Sequence, residues 1–208
     1  MSPACVDRGV SRRVQAQSPS ASEHTDGALV TGLRAGAAAA FDLAFDAYRA
    51  RIYSFLLRLT RNTALAGDLN QEVWLRLALH ARTLQPDTQL GPWLFTVARN
   101  LFVSHRRWAL LDRERLAELG LWRSRAQAPS PLDTAVGADV AARLERAIGA
   151  LPAAQREVIL LISVEGFGID AVAKMLDTRE ETVRKRLSRA RAAIKRALDS
   201  NDPSRASP

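Results

Sequence analysis

The sequence predicts an all-α protein: two small helical domains joined by a flexible linker, the C-terminal one a helix-turn-helix. Three observations predict this. Apolar residues recur at three- and four-residue steps along most of the chain, the period of a helix with one buried face. No segment sustains the period-two alternation of a half-buried strand. The helical patterns also fall into two groups, separated by residues 112–139, where Ser124, Pro129, Ser130, Pro131 and Gly137 favour extended or irregular chain.

Residues 1–34 are rich in Ser, Ala, Gly and Pro, and are expected to be a mobile tail that cannot recover its ordering entropy. The first domain is expected over 35–111. Phe41, Phe45, Tyr48, Ile52, Phe55, Leu56 and Leu59 make one helical stripe. Asn62 and Thr63 interrupt it, and either can cap the next helix. That helix covers 64–80, with Leu65, Leu69, Val73 and Leu77 on one side. Pro86, Asp87, Thr88 and Gly91 then mark a break. Pro92 follows, in a first turn where its missing N–H costs nothing. A third helix runs over 93–108, with Leu94, Val97, Ala98 and Leu101 on one face and Trp74 and Phe95 expected as packing residues.

The second domain is expected over 140–199, followed by a short tail at 200–208. Val140, Leu144, Ala147, Ile148 and Leu151 form a stripe that ends at Pro152. Val158, Ile159, Leu161 and Ile162 form the next, broken by Gly166, Phe167 and Gly168. A short helix over 170–176 leads into a sharp turn at Asp177. Thr178 and Glu181 fit a reciprocal capping box, which would start a long helix at Arg179. Short helix, tight turn and long helix make the arrangement of a helix-turn-helix reader. Between Lys174 and Arg196, nine basic residues face three acidic ones. Val183, Leu187, Ala190, Ile194 and Ala197 make the stripe expected to be buried. Arg179, Thr182, Lys185, Arg186 and Arg189 then project elsewhere, where arginine can pair with guanine and cations can neutralise phosphate.

Composition narrows the alternatives. The 208 residues carry 30 Lys and Arg against 22 Asp and Glu, a formal charge of +8. One cysteine, Cys5, excludes an intramolecular disulfide and a Cys-rich zinc site. His24, His80 and His105 have no ligand spacing, so no metal, cofactor or catalytic set is expected. No uncharged run reaches the roughly 18–20 apolar residues of a membrane span, and no signal peptide opens the chain, so a cytoplasmic protein without membrane insertion is expected.

Two further patches invite function. Asp68, Gln71, Glu72 and Arg76 share the polar side of the second helix, as a solvated face or a docking surface. The third helix mixes Arg99, Asn100, His105, Arg106 and Arg107 with Trp93, Phe95, Phe102 and Trp108. Bases that leave a duplex can stack on such rings while basic groups hold the backbone.

Four segments in order now carry a resemblance: DLNQEVWLRL at 68–77, GPWLFTVARNLFVSHRR at 91–107, LPAAQREVILLISVEGF at 151–167 and TREETVRKRLSRARAAIKRAL at 178–198. Together they resemble the bacterial extracytoplasmic-function sigma factors of the sigma-70 family. The resemblance implies that Asp68, Gln71 and Glu72 face core RNA polymerase. It implies that the loop 82–91 with Trp93, Arg99, Asn100, Arg106 and Arg107 handles the opened minus-10 element of promoter DNA. It places Arg179, Thr182, Lys185, Arg186 and Arg189 at the minus-35 element, and an anti-sigma factor among the partners. Two departures stand out: Ser104 where the family commonly has aspartate, and Glu181 and Lys185 in a segment that often reads Gly-Thr-Val-Lys-Ser-Arg. The alternative is a helix-turn-helix regulator that binds promoters without polymerase.

Overall fold

A computed structural model describes residues 19–118 and 139–200, and every regular element among them is helical. The elements are α1 (Pro19–Arg34), α2 (Ala38–Thr60), α3 (Thr63–His80), α4 (Leu90–Glu118), α5 (Asp139–Ala150), α6 (Ala153–Ile159), α7 (Ile169–Met175) and α8 (Glu180–Asp199). A 3₁₀ turn, Ala81–Thr83, follows α3, and a π-helical turn, Leu160–Val164, extends α6.

The first difference from expectation is α1, which occupies the second half of the stretch read as tail. Its Leu29, Val30 and Leu33 are buried in the core. At Gly32 the helix runs so close to α2 that a Cβ would lie 2.6 Å from the Ala40 Cβ, so a residue that weakens a helix by itself permits the packing. Asp26 fixes the other end: the Tyr48 hydroxyl donates to its Oδ1 at 2.9 Å and the Gly91 N–H to its Oδ2 at 3.3 Å. Burial, with Asp26 beside it, raises the Tyr48 pKa well above the usual phenol value and keeps the hydroxyl a donor.

Arg61 closes α2 in the left-handed region, φ 55°, its N–H bonded to the Leu57 carbonyl. Asn62 then caps α3 as its type suggests, its side chain accepting from the Leu65 N–H at 3.0 Å. Asn62→Ala should cost about 1 kcal/mol of stability. A urea midpoint that does not move would contradict the cap's role.

Phe55 and Phe95, both fully buried, meet edge to face at 5.3 Å, and Trp74 packs edge-on against Phe45 at 4.8 Å. Trp74 and Phe95 are therefore packing residues, as expected. The core does not stop at the first helical group. Phe95 also meets Phe167, from the break before α7, at 5.3 Å, so both groups share one apolar interior.

Arg156 on α6 joins the groups more tightly. Its guanidinium donates to the Leu59 carbonyl at 3.1 Å and the Arg58 carbonyl at 3.4 Å, at the end of α2. It also donates to the Ile148, Gly149 and Leu151 carbonyls around the end of α5. Helix C-termini leave carbonyls without intrahelical partners, and one planar cation satisfies two such ends here. Arg58–Glu145 at 2.7 Å and Arg51–Glu165 at 3.0 Å add ion pairs across the same boundary. Within the residues read as linker, where the sequence also allows a short helix over 112–120, α4 runs on to Glu118 as one continuous helix, and 119–138 lie outside the described residues.

The turn before α8 corrects a second expectation. The Thr178 N–H bonds to the Ala173 carbonyl and the Asp177 N–H to that of Lys174, with Asp177 at φ 47°. That is a Schellman closure of α7, using the αL tolerance of aspartate. Arg179 is the N-cap of α8, without a side-chain cap. The capping box does not form, because Thr178 serves the end of α7 and the Glu181 carboxylate pairs with Lys185 at 2.6 Å.

Candidate functional site

Three surfaces carry the residues singled out above. On α3, Asp68 and Gln71 are exposed, while Glu72 is half-buried and accepts from Arg76 Nε at 2.8 Å. Leu75 and Leu79 lie on the same face as Asp68 and Glu72 by helical spacing and are 53% and 68% exposed. Sequence reasoning passed over both. Their signal was apolar character away from the stripe of Leu65, Leu69, Val73 and Leu77. The result is an acidic face continued by bare leucines, which suits a protein interface better than a solvated surface.

The second surface is a groove of about 680 Å³ between α4 and the segment from His80 to Thr88. Trp93, Val97, Asn100, Ser104 and Trp108 line it from α4, and no carboxylate contributes to its lining. Gln85 and Thr88 offer hydrogen bonds from the opposite wall. Of the expected minus-10 residues, Trp93 and Asn100 line the groove. Arg106 and Arg107 are exposed on the same helix, Arg106 resting over the Phe102 ring at 5.7 Å. Arg99 stands between the groove and α6: its Nη1 donates to the Asn100 Oδ1 at 3.2 Å, and its Nε lies 3.7 Å from the Glu157 carboxylate.

The third surface is α8. Val183 and Ala190 are fully buried and Leu187 nearly so, but the stripe fades at the far end, where Ile194 is half-buried and Ala197 exposed. Arg179, Lys185 and Arg189 are exposed and Thr182 half-exposed. Arg186 is half-buried, and its charge acts on Glu157.

Glu157 thus gathers arginines from both groups. It is 5% exposed, and burial raises its pKa above the usual carboxylate value, while Arg99, Arg186 and Arg106 pull the other way. Burial disfavours a lone carboxylate there, and the arginines offset part of that cost. Sequence reasoning missed it because it sits inside an apolar run, and its partners lie far away in the chain.

Among the described residues no group of three or more His, Cys, Asp or Glu could hold a metal, and no helix is long and apolar enough to cross a membrane.

Comparison with known proteins places these surfaces in context. Residues 44–109 match the family model for sigma-70 region 2, and residues 141–194 that for sigma-70 region 4. The chain is 31% identical over 177 residues to the extracytoplasmic-function RNA polymerase sigma factor SigL of Mycobacterium tuberculosis, covering 82% of this chain and 96% of that one. It is 28% identical over 183 residues to SigM of the same species, covering 85% and 86%. Identity to the probable RNA polymerase sigma factor RfaY of Xanthomonas campestris pv. campestris is 31% over 169 residues, which are 79% of this chain and 42% of that relative's length. Among solved structures, the sigma factor RpoE of Bartonella quintana, in complex with the anti-sigma factor NepR, superposes with a TM-score of 0.62 at 26% identity, covering 78% of this chain and 98% of RpoE. CnrH, in complex with the cytosolic domain of CnrY, shares the fold at a TM-score of 0.63 and 21% identity, covering 86% and 99%.

Proposed function

The chain belongs to the extracytoplasmic-function sigma factors of the sigma-70 family, non-catalytic proteins that direct core RNA polymerase to promoters, and we propose that its three surfaces divide that work. The acidic and leucine-bearing face of α3, with Asp68, Gln71 and Glu72, docks on core polymerase. The groove along α4, with Trp93 and Asn100, receives unpaired bases of the minus-10 element, while Arg106 and Arg107 hold phosphates. Opening DNA costs unstacking energy, and capturing a base on an aromatic surface offsets part of it. The pair α7 and α8 acts as a helix-turn-helix that reads the minus-35 element, with Arg179, Thr182, Lys185 and Arg189 towards the major groove.

Arg99 pairs with Glu157 in this arrangement, and the charge of Arg186 acts on the same carboxylate. On a promoter they exchange that carboxylate for DNA, so the two helical groups separate as the protein engages. An anti-sigma factor fits the same scheme, as RpoE is seen bound to one. The site of action would be the cytoplasm, where polymerase and promoters meet.

The observation that carries this reading is the groove, which has indole rings, amide and hydroxyl groups and no carboxylate, on the segment that matches region 2. The test is run-off transcription with the purified chain, bacterial core polymerase and a library of promoter fragments. Initiation that depends on the chain, at templates sharing two spaced elements, is expected. Absence of both initiation and core binding would overturn the reading in favour of a regulator that works without polymerase.

A further inference from the structure

We propose that Glu181 and Lys185 are the base readers of α8, Glu181 taking a cytosine and Lys185 a guanine in the minus-35 duplex. This deepens the promoter-selection reading above and rests on it.

Val183 points into the core and is fully buried. At about 100° per residue, Glu181 and Lys185, two positions to either side of it, both stand about 160° round the helix from it. They therefore face almost directly away from the buried stripe, and they are 71% and 66% exposed. Thr182 and Arg189 lie on one flank of this line, and Arg184 and Arg191 on the other, all three arginines exposed. A recognition helix lies in the major groove with its N-terminal residues towards base edges. In that pose the outward line meets the groove floor, where bases are read, and the flanking arginines meet the phosphates of the two walls.

Glu181 is the informative member of the pair. A carboxylate facing DNA is repelled by phosphate and loses water on docking, so it weakens binding unless a base donates to it. Cytosine N4 is the major-groove donor that an acidic side chain takes, and Lys185, one turn on, suits the O6 and N7 acceptors of guanine. Four residues rise about 6 Å along the helix, under two base steps of about 3.4 Å, so the two side chains meet neighbouring base pairs. In the free chain the pair neutralises itself, with Lys185 Nζ 2.6 Å from the Glu181 carboxylate. An exposed ion pair at this spacing is worth little, so both groups can exchange it for bases. Glu180, the other carboxylate of the first turn, is held on the flank by Arg184 at 2.6 Å and takes no part.

The test uses the full chain assembled with core polymerase, in run-off transcription from a promoter that it opens, with each base of the minus-35 element varied in turn. One position should require cytosine and a neighbouring one guanine, each wrong base lowering initiation about tenfold. Glu181→Gln should switch the first preference from cytosine to adenine, which an amide pairs through N6 and N7, and leave the other positions as they were. Lys185→Ala should level only the second preference. Glu181→Ala should relax the first and raise initiation at templates with other bases there, because the repelled carboxylate is gone. Both side chains are exposed, so melting temperatures should stay within a few degrees of wild type, and a switched base preference is not something that lost stability produces. A base profile unchanged by Glu181→Gln would overturn the assignment while leaving promoter selection by the chain intact. Failure of the wild-type holoenzyme to initiate at any template would overturn the reading beneath it, and the base readers with it.

Discussion

Arg156→Ala should lower the unfolding free energy by about 3 kcal/mol, because it leaves the carbonyl ends of two helices without their shared donor. The guanidinium reaches the Arg58 and Leu59 carbonyls at the end of α2, and the Ile148, Gly149 and Leu151 carbonyls around the end of α5. Alanine fills none of these roles and leaves these part-buried acceptors without their shared donor. Burial and the nearby charges of Arg61 and Arg106 already lower the Arg156 pKa, so the protein tolerates a cation in an unfavourable place for the sake of these bonds. Arg156→Lys should recover less than half of the loss, since a single ammonium cannot span both helix ends. Urea unfolding measures both variants. A change under about 0.5 kcal/mol for the alanine variant, the range of an ordinary surface substitution, would remove Arg156 from this role.

Glu72→Lys should weaken binding to core polymerase by more than tenfold while leaving the fold in place. Glu72 sits in the centre of the exposed α3 face, between Asp68 and Leu75, and its only strain on folding would be a like-charge pair with Arg76. That pair costs roughly 0.5 kcal/mol on a helix surface. At an interface, bringing a charge against one of its own sign costs several kcal/mol. The two magnitudes separate the outcomes. Binding assayed against labelled core polymerase should drop sharply, while the thermal transition shifts by only a few degrees. Unchanged affinity would move the docking surface off α3.

Much of the local structure was legible from residue types. The stripes of α2, α3 and α8 follow from apolar spacing, and the cap at Asn62 from its side-chain oxygen beside a helix start. The breaks at Gly166 and Asp177 are both residues that accept positive φ. Trp74 and Phe95 could be assigned to packing because a small helical group needs large apolar residues inside it. The resemblance that pointed to the sigma-70 family rested on four segments in order, and both halves of it reappear as family matches.

What was not legible depended on partners distant in the chain. The second half of the stretch read as tail has the composition of a segment that cannot order itself, yet it forms α1. Gly32 lets it lie against Ala40, and Asp26 finds Tyr48 and Gly91. The capping box was chemically sound, but Thr178 and Glu181 were drawn to closer partners in the assembled turn. The nearness of Arg99 and Arg186 to Glu157 was not legible either: the Arg99 guanidinium comes within 3.7 Å of that carboxylate, and the Arg186 charge acts on it, only after folding.

By itself the sequence determined the helices and their polar faces, since helical period and capping depend on residues a few positions apart. It also carried the family, since motif order survives in the linear chain. Only the tertiary structure decided that α1 belongs to the core, that Arg156 and Glu157 clasp the two helical groups, and that one stripe of α4 becomes a groove between two tryptophans. Each of these needs a desolvated contact between distant segments, whose energy appears only when both surfaces leave water together.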